Sequence, residues 1–212
     1  MTTLVFAAHP DDEVLGAGGT IAKLSREGED IISVIFSYGE GSDPVREPES
    51  IIQERVRESK KAGKILNTKE TFFLGLSDSK FVSEAGQPST RKKLQDILNK
   101  YQPKKIYIHS IDDPHPAHRE TARVVKEVLK EMHMRVQVYS FTISLPLKFT
   151  RRDSPRVFVD ITKEFGKKMS ALRVFKSQEL MLKFYFIPLM RVQAWLAGFK
   201  AHCKYAEVFY KW

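Results

Sequence analysis

Short apolar runs alternate along this chain with longer stretches in which apolar positions recur every three or four residues. The first run, "TLVFAA", predicts a strand, and a helix follows from about Asp12 to Glu27, where Gly28 is suited to close it. "DIISVIFSY" is rich in β-branched residues and predicts a second strand. The turn-rich "GEGSDPVREPES" leads to a helix from Ile51 to Leu66, and "ETFFLGL" reads as a third strand. "STRKKLQDILNKY" has helical periodicity, "KKIYIHS" predicts a fourth strand, and a helix after "IDDPHPAH" runs to Met132 before the fifth strand, "RVQVYSF".

Strands this short and apolar, alternating with helices, predict a sheet covered on both faces. The expected fold is α/β: a Rossmann-like, mostly parallel sheet with helices on both faces, spanning residues 1–212 as a single domain. In such folds ligands gather beyond the carboxyl ends of the strands. The last third is less regular. "VFVDI" and "AEVFYKW" read as strands, and "TKEFGKKMSALRVFKSQ" reads as one helix. The apolar stretch "LMLKFYFIPLMRVQAWLAGF" suggests membrane contact, but Lys183, Pro188 and Arg191 interrupt it, so a packed helix pair is expected rather than a span, with a membrane-facing surface as the lesser alternative.

Composition narrows the classes. The 212 residues are 42% hydrophobic and 29% charged, in the range of a globular protein with a sizeable core. The single cysteine, Cys203, excludes an internal disulfide framework and a Cys-built zinc finger. No basic-then-apolar leader opens the chain, and a cytoplasmic location is the expectation. The formal net charge of +9 favours anionic partners, yet its carriers are scattered: Arg55, Arg57, Lys60, Lys61, Arg91 to Lys93, Arg151, Arg152. A solvated basic surface accounts for them, with no nucleic-acid fingerprint beside them. Composition leaves homo-oligomerisation open.

Two segments carry candidate chemistry. "HPDDE" puts His9, Asp11 and Asp12 after the first strand, where adjacent carboxylates repel unless something cationic joins them. "DDPHPAHRE" puts His115 and His118 after the fourth strand, three residues apart at a helix start that Pro116 favours. In a parallel sheet both loops leave the same edge. Two imidazoles and a carboxylate suit a tetrahedral zinc site with one position open to water, and the same set accepts iron, cobalt, nickel or manganese. Gly16, Gly18 and Gly19 would permit close backbone approach at a crowded helix start.

"AAHPDDEVLGAGGTIAKL" resembles the opening motif of the LmbE-like/PIG-L family of zinc-dependent N-acetylglucosamine deacetylases. "RVRESKKAGKILN", "FFLGLSD", "HPAHRE", "VDITKEFGKKMSALRVFKSQ" and "YAEVF" are similar to later family segments, in the same order. The resemblance implies that His9, Asp12 and His118 hold Zn2+ and that Asp11 is the general base. It further implies that His115 assists the oxyanion or the leaving amine and that Arg55 helps bind substrate; His115 should act best when protonated, a form that Asp112 or Asp113 nearby would favour. The implied substrate is a small N-acetylated amino sugar, with phosphate- or lipid-bearing conjugates open. Where the family often has an Asp between the two histidines, this chain has Ala117, which makes Asp112 or Asp113 the candidate replacement. That departure also sustains a competing expectation, a non-catalytic basic module that binds a sugar, nucleotide or RNA in the same cleft.

Overall fold

A computed structural model of the chain describes residues 1–43, 45–143 and 155–212; Pro44 and the basic pair Arg151 and Arg152 lie outside the described residues. Its first half follows the predicted alternation: β1 (Thr2–Ala7), α1 (Asp12–Arg26), β2 (Asp30–Ser37), α2 (Pro48–Leu66), β3 (Glu70–Leu76). A five-residue helix that the pattern does not signal, α3 (Phe81–Ala85), precedes α4 (Pro88–Tyr101), β4 (Lys105–His109), α5 (Pro116–Glu131) and β5 (Gln137–Phe141). The chain closes with β6 (Arg156–Asp160), α6 (Phe165–Leu172), α7 (Glu179–Met181), α8 (Ile187–Lys200) and β7 (Ala206–Lys211).

The seven strands form one sheet in the order β3-β2-β1-β4-β5-β7-β6. β1 to β5 pair in parallel, whereas β7 runs antiparallel to both β5 and β6. Alternation along β1 shows how the sheet divides its core. Leu4 and Phe6 join a cluster with residues of α4 and α5, while Val5 joins the opposite cluster with residues of α1, α2 and α6. Each such large side chain contributes about 1.5–3 kcal/mol on burial, so a one-residue slip of β1 would forfeit several at once.

α1 approaches the sheet closely because of its glycines. A Cβ added at Gly16 would lie 2.2 Å from the Phe141 ring, and one at Gly19 would lie 2.6 Å from Ile161. Their crowding comes from β5 and the turn after β6. A buried ion pair reinforces this contact: Lys168 Nζ of α6 lies 2.7 Å from Glu207 Oε1 of β7 and donates to the Leu15 carbonyl at 2.8 Å. Glu207 also accepts from the Gly19 and Thr20 amides.

The C-terminal third departs from the sequence expectation. The expected long helix stops at Leu172, and a 3-10 turn follows at Lys176–Gln178, where the Ser177 amide and hydroxyl donate to the Glu58 carboxylate at 2.9 and 2.6 Å. The expected helix pair is instead one helical run, α7 joined to α8 through π-helical Leu182–Phe186. Pro188 brings no N–H to the ladder, and the π segment lies just before it. Among the described residues no helix is long and apolar enough to cross a membrane.

Candidate active site

The sheet order reverses between β1 and β4: β2 and β3 lie on one side of β1, β4 and β5 on the other. Crevices at such a reversal are where α/β folds place ligands. Here it receives His9–Asp12 after β1, Asp78 after β3, and His109–His118 at and after β4.

α1 starts with Asp11 in the left-handed region, at φ 101° and ψ −28°. Its side chain makes no capping bond; instead the Asp11 amide donates to Glu13 Oε2 at 3.1 Å, and Ser59 donates to Glu13 Oε1 at 3.3 Å. Arg55 is buried beneath this turn and spends itself on the chain. Its Nη2 donates to the Pro10 carbonyl at 2.7 Å and lies 3.6 Å from Asp11 Oδ2, and its Nη1 donates to the Gly39 carbonyl at 3.2 Å. Gly39, at φ 70°, leaves room for the guanidinium, since a Cβ there would lie 2.7 Å from Arg55 Nη1.

Asp12 points the other way, into a nest of imidazoles. Its carboxylate lies 3.5 Å from His9 Nδ1, 3.2 Å from His109 Nε2 and 3.4 Å from His118 Nε2, and it accepts from the His9 amide at 2.8 Å. The outer nitrogens of two of these rings face carboxylates: His9 Nε2 lies 3.0 Å from Asp78 Oδ1, and His118 Nδ1 lies 2.9 Å from Asp113 Oδ1. One donor atom from each of His9, Asp12 and His118 falls within 4.8 Å of the others. Mixed imidazole and carboxylate donors whose far nitrogens are held by carboxylates fit a divalent metal ion. His109, Asp113 and His118 form a second close group, but its Asp113 holds the face of His118 turned away from Asp12.

The electrostatics agree with a cation's place. Burial disfavours charge on His118 and His9, yet Asp12 with Asp113, and Asp12 with Asp78, outweigh it and lift them to about 10 and about 9. Burial likewise opposes ionisation of Asp12, but His118 and His109 hold it well below the usual carboxylate range. A metal ion would take over the charge that these protons carry. Asp11 has the reverse environment: burial pushes it up to about 7, with Arg55 opposing. Glu13 rises to about 8 by burial, and His109 falls to about 4 by burial and the neighbouring His118.

The structure therefore gathers His9, Asp11, Asp12, Arg55, His115 and His118 around one crevice. His115 is exposed, with its ring centroid 5.4 Å from that of His9 and 4.6 Å from that of His118. Burial, His118 and His9 push the His115 imidazole down, while Asp12 and Asp113 oppose them. Asp113 serves other groups, accepting from the His115 amide at 3.0 Å and from the His118 ring. Ala117 is buried among the apolar residues of its own cluster. Sequence reasoning missed His109 and Asp78. The first ends the run "KIYIH" and the second ends "LGLSD"; polar residues closing apolar strands at the carboxyl edge were the available signal.

A family model described as GlcNAc-PI de-N-acetylase (PIG-L) matches residues 4–129. The uncharacterized deacetylase YaiS of Escherichia coli (strain K12) is 29% identical over 179 residues, covering 82% of this chain and 90% of that protein. The 4-oxalmesaconate hydratase of Pseudomonas putida is 25% identical over 203 residues, covering 87% and 76%. Among solved structures, an inhibitor complex of N,N'-diacetylchitobiose deacetylase from Pyrococcus horikoshii superposes with a TM-score of 0.83 at 25% identity, covering all of this chain and 83% of that one.

Proposed function

Since the chain belongs to the PIG-L family, we propose that it is a zinc-dependent deacetylase that removes the acetyl group from an N-acetylglucosamine-type sugar or conjugate. The observation that carries this reading is the convergence of His9, Asp12 and His118 beside a buried Asp11 that stays outside the donor set. The diacetylchitobiose deacetylase likeness supports the substrate class.

His9, Asp12 and His118 would hold the ion. When bound, a zinc ion supplies Lewis acidity for an amide carbonyl and acidifies a neighbouring water. The remaining work falls to the chain. Asp11 accepts the proton of the attacking water. Burial raises its basicity, while the nearby Arg55 favours the ionised form at neutral pH, a combination that suits a general base. We assign Arg55 to holding the Asp11 turn rather than gripping substrate, because both its terminal nitrogens are committed to backbone carbonyls. His115, on the exposed side of the same crevice, donates an N–H to the carbonyl oxygen as negative charge develops there. A neutral imidazole can do this. Such a donor is worth roughly 3–4 kcal/mol. Asp113 fixes the His118 ring and the His115 backbone, so one carboxylate positions both histidine-bearing residues.

The test is acetate release from N-acetylglucosamine, diacetylchitobiose and glycoside conjugates by zinc-loaded protein. Activity that disappears on chelation and returns with zinc supports the reading. The hydratase relative represents a different chemistry, so 4-oxalmesaconate belongs in the same screen. Turnover of that compound with no acetate release from any sugar would replace the deacetylase reading.

A further inference from the structure

The helical run from α7 to α8 is apolar on the side that packs and on the side that does not. Met190, Ala194 and Ala197 of α8 are buried against the body, whereas Val192, Trp195, Leu196 and Phe199 are exposed, Trp195 by 57% and Phe199 by 77%. At 100° per residue those four fall within an arc of about 100°, with Arg191 on one side and Lys200 on the other. The preceding turns extend the patch through Leu180 and Phe184, exposed by 76% and 71%. Scattered exposed apolar residues are ordinary, but a contiguous aromatic stripe along one helix face marks a surface that is covered in use.

The charges beside the stripe select what covers it. Arg173, Lys183, Arg191 and Lys200 surround it, and among the described residues none of the four has a carboxylate partner. Three of them, Arg173, Lys183 and Arg191, line a cleft of about 520 Å³ whose one carboxylate, Glu179, is paired with Lys176 at 3.1 Å, which leaves the cleft net basic. Two copies of the chain meeting through this face about a two-fold axis would bring one cation-flanked patch against another of the same sign. An anionic lipid surface instead meets the stripe with hydrocarbon and the cations with phosphate. Trp, Phe and flanking Lys or Arg are the side chains that settle at such a boundary. Among the described residues no helix is long and apolar enough to span, so contact would be along the surface.

We infer that the α7–α8 face docks this protein onto an anionic membrane surface, independently of the chemistry at the crevice. The turn that leads into the face is fastened to the crevice wall. Ser177 is bonded to Glu58, which lies one helical turn beyond Arg55 on α2.

The experiment is co-sedimentation of the full chain with vesicles of phosphatidylcholine alone and of equimolar phosphatidylcholine and phosphatidylglycerol. Binding to the anionic vesicles is expected, with a blue shift of Trp195 emission read in a Trp212→Phe background. Lys183→Gln and Arg191→Gln should each weaken that binding by about fivefold, as expected for one surface cation. Trp195→Ser with Phe199→Ser should abolish it while far-UV circular dichroism and melting stay as in the parent. No binding to either vesicle overturns the inference, as does binding that the serine pair leaves unchanged. A dimer in sedimentation velocity that the same pair dissociates would overturn it in favour of a second copy.

Discussion

Asp11 and Asp12 are neighbours in sequence with opposite surroundings, one beside Arg55 and the other among three imidazoles. Asp12→Asn should therefore lose most bound metal. Asp11→Asn should keep it while lowering acetate release by roughly 10²–10⁴-fold, the range for a lost general base. Metal stoichiometry measured beside activity separates the two, and the opposite pattern would exchange the roles. Asp113→Asn should weaken metal affinity by roughly 10–100-fold by releasing the His118 ring, measured by competition with a chelator. That His9, Asp12 and His118 meet at one crevice could be anticipated from sequence because each sits in a short motif at a strand end. His109, Asp78 and the orienting role of Asp113 were not, because their significance lies in partners from other loops. At Ala117, where Asp112 or Asp113 is the expected replacement for a missing carboxylate, the alanine packs inward and Asp113 stands beside the histidines.

At the scale of elements, periodicity located the strands and helices through β5 to within a few residues, apart from the five-residue α3, because each of the others has its own pattern and breaker. It failed between α6 and β7 for a physical reason. The run after Leu172 keeps helical composition, yet Glu58, more than a hundred residues earlier, captures the Ser177 amide and hydroxyl and turns the chain. The close seating of α1 gives a direct test. Gly16→Ala gains about 1 kcal/mol of helix propensity but forces a Cβ into the Phe141 ring, and overpacking costs about 1–3 kcal/mol. A net loss is expected, seen as a lower urea midpoint. Gly166→Ala in α6, where an added Cβ meets nothing within 4 Å, should be neutral or stabilising.

For the whole molecule, the reversal of strand order between β1 and β4 brings loops about a hundred residues apart to one crevice, where His9, Asp12 and His118 could hold a metal ion. An ion held there bridges the two halves of the sheet and stabilises only the folded chain. At a free concentration a hundredfold above its Kd it contributes about 2.7 kcal/mol. Chelation should then lower Tm by about 5–10 °C for a chain of this size. An unchanged melting curve would mean that the three donors do not hold an ion. The α/β architecture was legible from alternation alone; the antiparallel insertion of β7 between β5 and β6 was not. There Glu207 meets the buried Lys168 and the α1 amides, a long-range pairing without a local signature.

The left-handed backbone at Asp11 sets fitness of the fold against fitness of the reaction. A non-glycine residue at φ 101° stores about 1–3 kcal/mol of conformational strain, and the residue that bears it is the one assigned to take the proton. Glycine would rest there without strain. Asp11→Gly should melt above Asp11→Ala, since alanine keeps the strain and glycine releases it. Neither variant should release acetate at an appreciable rate. A thermostability screen without an activity readout would thus favour glycine over alanine here and discard the catalyst with the strain.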